Sequence, residues 1–136
     1  MGIKFDFQYK GSSPLGEIYR PIAKVSIKSP NDEDWTLVWM IVDTGADFSI
    51  LPNHLSADFG ISLDDDCWKD TIKGVGGEQT IFLCKKRFHA KINNVERHIP
   101  IAFFNNDEVP PLMGRLGFIE TFDTEFLKNR AVVFKP

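Results

Sequence analysis

The sequence predicts an all-β domain carrying one or two short helices, and three observations predict it. Runs rich in Val, Ile, Phe and Thr are cut at short intervals by Gly, Pro and Asn-Asp clusters, the pattern of many short strands. Phenylalanine is used heavily, with 12 residues among 136. Phe5, Phe7 and Tyr9 alternate with Lys4, Asp6, Gln8 and Lys10, a period of two. The length corresponds to a single domain spanning positions 1–136, large enough for one core. The composition, 43% hydrophobic and 26% charged, is that of a globular chain.

The elements follow in order. Gly11-Ser12-Ser13-Pro14 ends the first strand. Ile18 to Lys28 reads as the second, and Ser29 to Asp34 as a polar, turn-prone loop. Trp35 to Val42 is nearly all apolar, which predicts a strand buried on both faces. Pro52 to Phe59 holds one or two helical turns ended by Gly60. Thr71 to Asn94 reads as a long hairpin, with Gly74-Val75-Gly76-Gly77 near its turn and Ile81-Phe82-Leu83 and Phe88-Ala90-Ile92 on its return arm. Asn93-Asn94 is the next turn, Ile99 to Phe104 a strand, and Asn105 to Pro111 a polar loop. Leu112-Met113-Gly114 is a short strand. Arg115 to Phe122 fits an amphipathic helix, with Leu116, Ile119 and Phe122 on one face. Lys128-Asn129-Arg130 turns the chain into a last strand, Ala131 to Phe134.

Several functions are disfavoured by the same residues. The net charge of −3, from 16 basic and 19 acidic residues, implies no strongly basic face, so no nucleic-acid partner is expected; Lys85-Lys86-Arg87 is the one basic cluster. The longest apolar run, Leu37 to Val42, is far short of the roughly 20 residues of a membrane span, so no membrane partner is expected. His54, His89 and His98 share no ligand spacing with Cys67 and Cys84, so neither a metal nor a cofactor is expected. Asp64-Asp65-Asp66 reads as a solvated acidic turn. Ser49 has no Gly-x-Ser-x-Gly context, which argues against a serine hydrolase. The Gly74–Gly77 stretch lacks the Lys-Ser or Lys-Thr of a phosphate loop. Two cysteines outside a CxxC motif read as free thiols in a reducing, cytoplasmic setting.

The sharp feature is Asp43-Thr44-Gly45-Ala46, directly after the apolar strand. A carboxylate at the end of a buried strand is expensive unless it is satisfied or used. Gly45 permits a tight turn, and Thr44 offers a hydroxyl that donates and accepts. Taken with Ile41 to Pro52, with Leu112-Met113-Gly114-Arg115-Leu116-Gly117-Phe118 downstream, with the Gly-rich tip after Lys73 and with Arg20-Pro21-Ile22 leading to Ile27, this chain resembles the retropepsin-like aspartic proteases, the single-domain family that includes the retroviral enzymes.

The resemblance implies a closed retropepsin-like barrel that works as a homodimer. The sequence holds one Asp-Thr-Gly, so a two-aspartate reaction needs Asp43 from each subunit of a symmetric pair. Two carboxylates roughly 3 Å apart repel by about 5 kcal/mol at an effective dielectric near 20, so the pair holds one shared proton. The ionised member activates water and the protonated member donates to the peptide carbonyl, the dyad chemistry known from aspartic proteases in general. By the same resemblance Asp43, Thr44 and Gly45 form the catalytic loop. Ala46, Asp47, Gly74, Val75, Gly76, Gly77, Leu112 and Met113 bind substrate, the four flap residues by pairing with an extended peptide and Leu112 and Met113 by lining a side-chain pocket, with plain core packing as the alternative for these two. Gly114 and Arg115 support the site, Arg115 pairing with Asp47 as two otherwise buried charges. Ala46 departs from the Ser that pepsin-type relatives often carry, which implies a less acidic optimum. A retropepsin-like peptide-binding or scaffold module with little turnover is the alternative.

Overall fold

The computed structural model describes residues 2–74 and 76–136. Among these, the strands are β1 (Ile3–Asp6), β2 (Gln8–Ser13), β3 (Gly16–Arg20), β4 (Ile22–Lys28), β5 (Thr36–Val42), β6 (Ile50–Leu51), β7 (Cys67–Gly74), β8 (Gly77–Cys84), β9 (Phe88–Ile92), β10 (Val95–Ile99), β11 (Ala102–Phe104), β12 (Leu112–Met113), β13 (Asp123–Leu127) and β14 (Ala131–Lys135). One α-helix, α1 (His54–Asp58), and one 3₁₀ turn (Ile119–Thr121) complete the described elements. No helix among the described residues is long and apolar enough to cross a membrane.

The strands form a nine-stranded sheet in the order β10-β9-β4-β5-β12-β6-β11-β8-β7, a three-stranded sheet β1-β14-β13 and the hairpin β2-β3. Most neighbours are antiparallel, as short turns require. The exceptions frame the site: β12 runs parallel to β5, and β11 runs parallel to β6.

One face of the large sheet is buried. Val38, Met40 and Val42 of β5 point inward, whereas Leu37 and Trp39 are 53% and 51% exposed. The expectation that this strand is covered on both faces is therefore corrected. An antiparallel sheet needs only one covered face, and the outward face of β5 is open in the single chain. The main core gathers Val25, Ile27, Phe88, Phe103 and Phe134 with the inward side of β5. Phe59, just after α1, meets Phe88 edge to face with centroids 5.5 Å apart. A smaller cluster of Ile50, Ile81, Ala102 and Phe104 lies beneath the β8 side.

Local differences from expectation have local causes. Pro21 divides the second predicted strand into β3 and β4, because it supplies no N–H to a ladder. β2 runs through Gly11 by means of a register shift rather than stopping there. Phe88 to Ile92 does not prolong the β7–β8 hairpin; it pairs with β4 and β10 instead. The predicted helix over 115–122 reduces to the 3₁₀ turn. Gly117 sits at φ +68, a left-handed conformation that breaks helical continuity, and Leu116 is left 47% exposed.

Candidate active site

Asp43 lies just past the end of β5, where two parallel segments are zipped together. Ile41 N–H donates to Pro111 O at 2.9 Å and Asp43 N–H to Met113 O at 3.0 Å. Beyond the strands the same two segments continue to bond: Arg115 N–H donates to Ala46 O at 3.0 Å and Leu116 N–H to Asp47 O at 2.9 Å. The loop therefore hangs between fixed points on both sides. Within it, Gly45 N–H donates to Asp43 Oδ1 at 3.0 Å and Ala46 N–H to Asp43 O at 3.2 Å, closing a tight turn around the carboxyl. Asp43 is half-buried, while Thr44 and Gly45 are exposed. The carboxyl is thus held by backbone on one side and remains partly exposed.

Gly114 fixes how close the two segments come. A Cβ there would lie 2.2 Å from Phe48 O and 2.9 Å from Ser49 N, so no side chain fits. Its buried N–H donates to Ser49 Oγ at 3.0 Å, which gives the fully buried Ser49 hydroxyl a structural task. This packing role is distinct from the nucleophile role that the missing Gly-x-Ser-x-Gly context argues against. A hydroxyl placed just before Ile50-Leu51, among apolar neighbours, was the available hint.

Arg115 Nη2 donates to Asp47 Oδ1, so these two charges do pair. Their side chains are 49% and 72% exposed, which corrects the expectation of a buried pair. Met113 is fully buried in the main core of this chain, the plain packing role that its residue type left open beside a pocket-lining one. Leu112 is half-buried and packs against the smaller cluster.

The β7–β8 hairpin ends at Gly74↔Gly77. Gly77 takes φ +98, and a Cβ on Gly74, Gly76 or Gly77 would meet nothing within 4 Å. The tip is therefore open. Val75 lies outside the described residues.

An open groove of about 480 Å³ lies along the outward face of β5, which leads into the loop. Trp39, Ile41, Val109 and Pro111 supply its apolar wall, and Lys10, Arg20, Asp107 and Glu108 its charges. The signal was in the alternation: counting back from Asp43 in steps of two gives Ile41 and Trp39 on the outward face. The Asn105–Pro111 side of the groove is tied to α1. His54 backbone N–H and Nδ1 both reach Asp107 Oδ1, at 2.6 and 3.0 Å, and the backbone bond first, then the ring, holds the Asp107 carboxyl below the usual carboxylate range.

Fold and loop together define a single-lobed β domain that presents one aspartate at a strand crossing. No family model matches the sequence, and no curated protein matches it. Among solved structures, the chain is similar to a retropepsin-like aspartic protease from Rickettsia conorii, with a TM-score of 0.63 and 15% identity over 98% of each chain. It is also similar to the EIAV protease in complex with the inhibitor HBY-793, with a TM-score of 0.51 and 25% identity over 71% of this chain and 82% of that one. The chain has a retropepsin-like fold.

Proposed function

We propose that this chain is an aspartic endopeptidase whose working form is a homodimer, with Asp43 of each subunit meeting at the two-fold axis. The observation that carries the reading is the Asp43 loop: a carboxyl pinned by backbone, with one open side, at the junction of β5 and β12. The likeness to two proteases of this fold supports it. A single Asp-Thr-Gly per chain calls for a second copy to complete the pair.

In that dimer the two carboxyls share one proton, since like charges at close range do not both ionise. The ionised Asp43 takes a proton from water as the water attacks the peptide carbonyl carbon. The protonated Asp43 gives its proton to the carbonyl oxygen, and no covalent enzyme intermediate forms. Thr44, exposed beside the carboxyl, bonds across the axis and holds the two loops in register. Gly45, Ala46 and Asp47 present loop backbone and a polar edge to the substrate. The β7–β8 tip, Gly74 to Gly77, closes over an extended peptide, and Leu112 contributes to its side-chain contacts. Apolar residues flanking the cut match a groove walled by Trp39, Ile41, Val109 and Pro111. A reducing compartment such as the cytoplasm fits the two free thiols.

The test compares cleavage of a mixed peptide library by the wild type and by Asp43→Asn, with sedimentation at the assay concentration. Asp43→Asn is expected to lower turnover by roughly 10³-fold or more while leaving the fold and the dimer intact. Undiminished cleavage by Asp43→Asn, or full activity in a strictly monomeric sample, overturns the reading.

A further inference from the structure

The chemistry proposed above uses neither cysteine, yet the fold brings the two together. Cys67 opens β7, Cys84 closes β8, and they are direct partners in the antiparallel register. Cys84 N–H donates away from β7, to Ile101 O at 3.0 Å, while the next step of the ladder is bonded, Lys85 N–H to Asp66 O at 2.9 Å. Cys67 and Cys84 therefore occupy a pair whose backbones exchange no hydrogen bond, the closer kind, with Cα atoms roughly 4.5 Å apart. That separation falls within the span a disulfide bridges. Their side chains share one face, with Sγ atoms 3.6 Å apart, and both thiols are free.

We propose that Cys67 and Cys84 form a reversible disulfide that clamps the base of the β7–β8 hairpin. Bringing the sulfurs from their present contact to a bond of about 2.05 Å asks for side-chain rotation rather than movement of the strands. The oxidant is a small-molecule disulfide such as oxidised glutathione. One cysteine thiolate attacks a sulfur of the oxidant, expelling one small thiolate and leaving a mixed disulfide. The second cysteine, deprotonated in its turn, attacks the protein sulfur of that mixed disulfide and expels the other small thiolate. The protein loses two protons and two electrons, and the oxidant becomes two thiols.

Access comes through Cys84, which lines a surface cavity of about 240 Å³ together with Asn31, Ile61, Asp66 and Lys85. Burial pushes the Cys67 thiol up and the Cys84 thiol well up, so the attacking thiolates are scarce near neutrality. Closure is accordingly slow at neutral pH and faster as pH rises. Once formed, the bond ties the two arms of the hairpin at the end opposite the Gly74–Gly77 tip, leaving the tip as its free end. Its effect on turnover rests on the flap role proposed above, whereas the bond itself does not.

The experiment incubates the native wild type in buffers of graded oxidised-to-reduced glutathione ratio and reads free thiols, intact mass, a non-reducing peptide map and amide hydrogen exchange. The expected product is a monomer-mass chain lacking two hydrogens, with one peptide pair joined through Cys67 and Cys84. Amide exchange across 67–84 is expected to slow by roughly tenfold or more. Cys67→Ser and Cys84→Ser are expected to give no internal link. Two thiols still free at the most oxidising ratio, or only glutathione adducts or links between chains, overturn the proposal. So does a native chain that stays open where urea-unfolded chain closes in the same buffer. Because the link is read by mass, the result stands apart from whether the chain cleaves peptides.

Discussion

Gly114 and Ser49 carry more of the site's architecture than the charged residues beside them. An Ala at position 114 would press its Cβ against Phe48 O at 2.2 Å, and backbone is the one neighbour that cannot rotate away. Gly114→Ala is expected to cost about 3 kcal/mol or more, read as a fall in the urea midpoint. Ser49→Ala leaves the buried Gly114 N–H without its acceptor, at about 1–3 kcal/mol. Arg115→Ala breaks an ion pair whose members are half exposed or more, so at most about 1 kcal/mol is expected. A larger loss from Arg115→Ala than from Gly114→Ala would reverse this ranking. The Asp-Thr-Gly run was legible because three unlike residues follow an apolar strand. Ser49 was not, since its task depends on an N–H that comes 65 residues later. Met113 stayed open between core and pocket, because a two-residue strand has no periodicity to show which side chain turns inward.

Among the elements, the β7–β8 hairpin is the one whose behaviour its glycines decide. Gly77 holds φ +98, where an L side chain is strained, and Gly74 has open space around it with no left-handed requirement. Gly77→Ala is expected to cost about 1–2 kcal/mol in melting experiments, and Gly74→Ala to stay within about 0.5 kcal/mol of the wild type. Equal losses would mean that the tip conformation is not set at Gly77. Elements bounded by strong punctuation were readable: the Ser29–Asp34 loop, the turn at Asn93, which takes φ 53, and the last strand after Arg130, at φ 65. The Arg115–Phe122 segment misled because apolar steps of three suit a helix, while the left-handed Gly117 packs against Pro100 and interrupts it. Tertiary contact overrode a local pattern there, as it did at Phe88 to Ile92, whose apolar alternation fits any antiparallel partner.

For the whole molecule, the β-rich single domain was legible from composition and punctuation, but the strand order was not. β12 enters between β5 and β6, parallel to one and antiparallel to the other, and no local signal specifies that crossover. The three-stranded sheet illustrates the same point: β1 and β14 come from opposite ends of the sequence and lie side by side, Ile3 facing Phe134 and Asp6 facing Ala131. Since antiparallel partners sit only about 5 Å apart, the polypeptide is already almost a ring. Sealing residue 1 to residue 136 through a few glycines and cutting the circle at Asp32 would renumber every strand without altering a single pairing. Such a circular permutant is expected to keep the parent's circular dichroism spectrum and to melt within a few degrees of it. A permutant that never folds would show that the order in which the strands are threaded, and not their pairing alone, shapes this molecule.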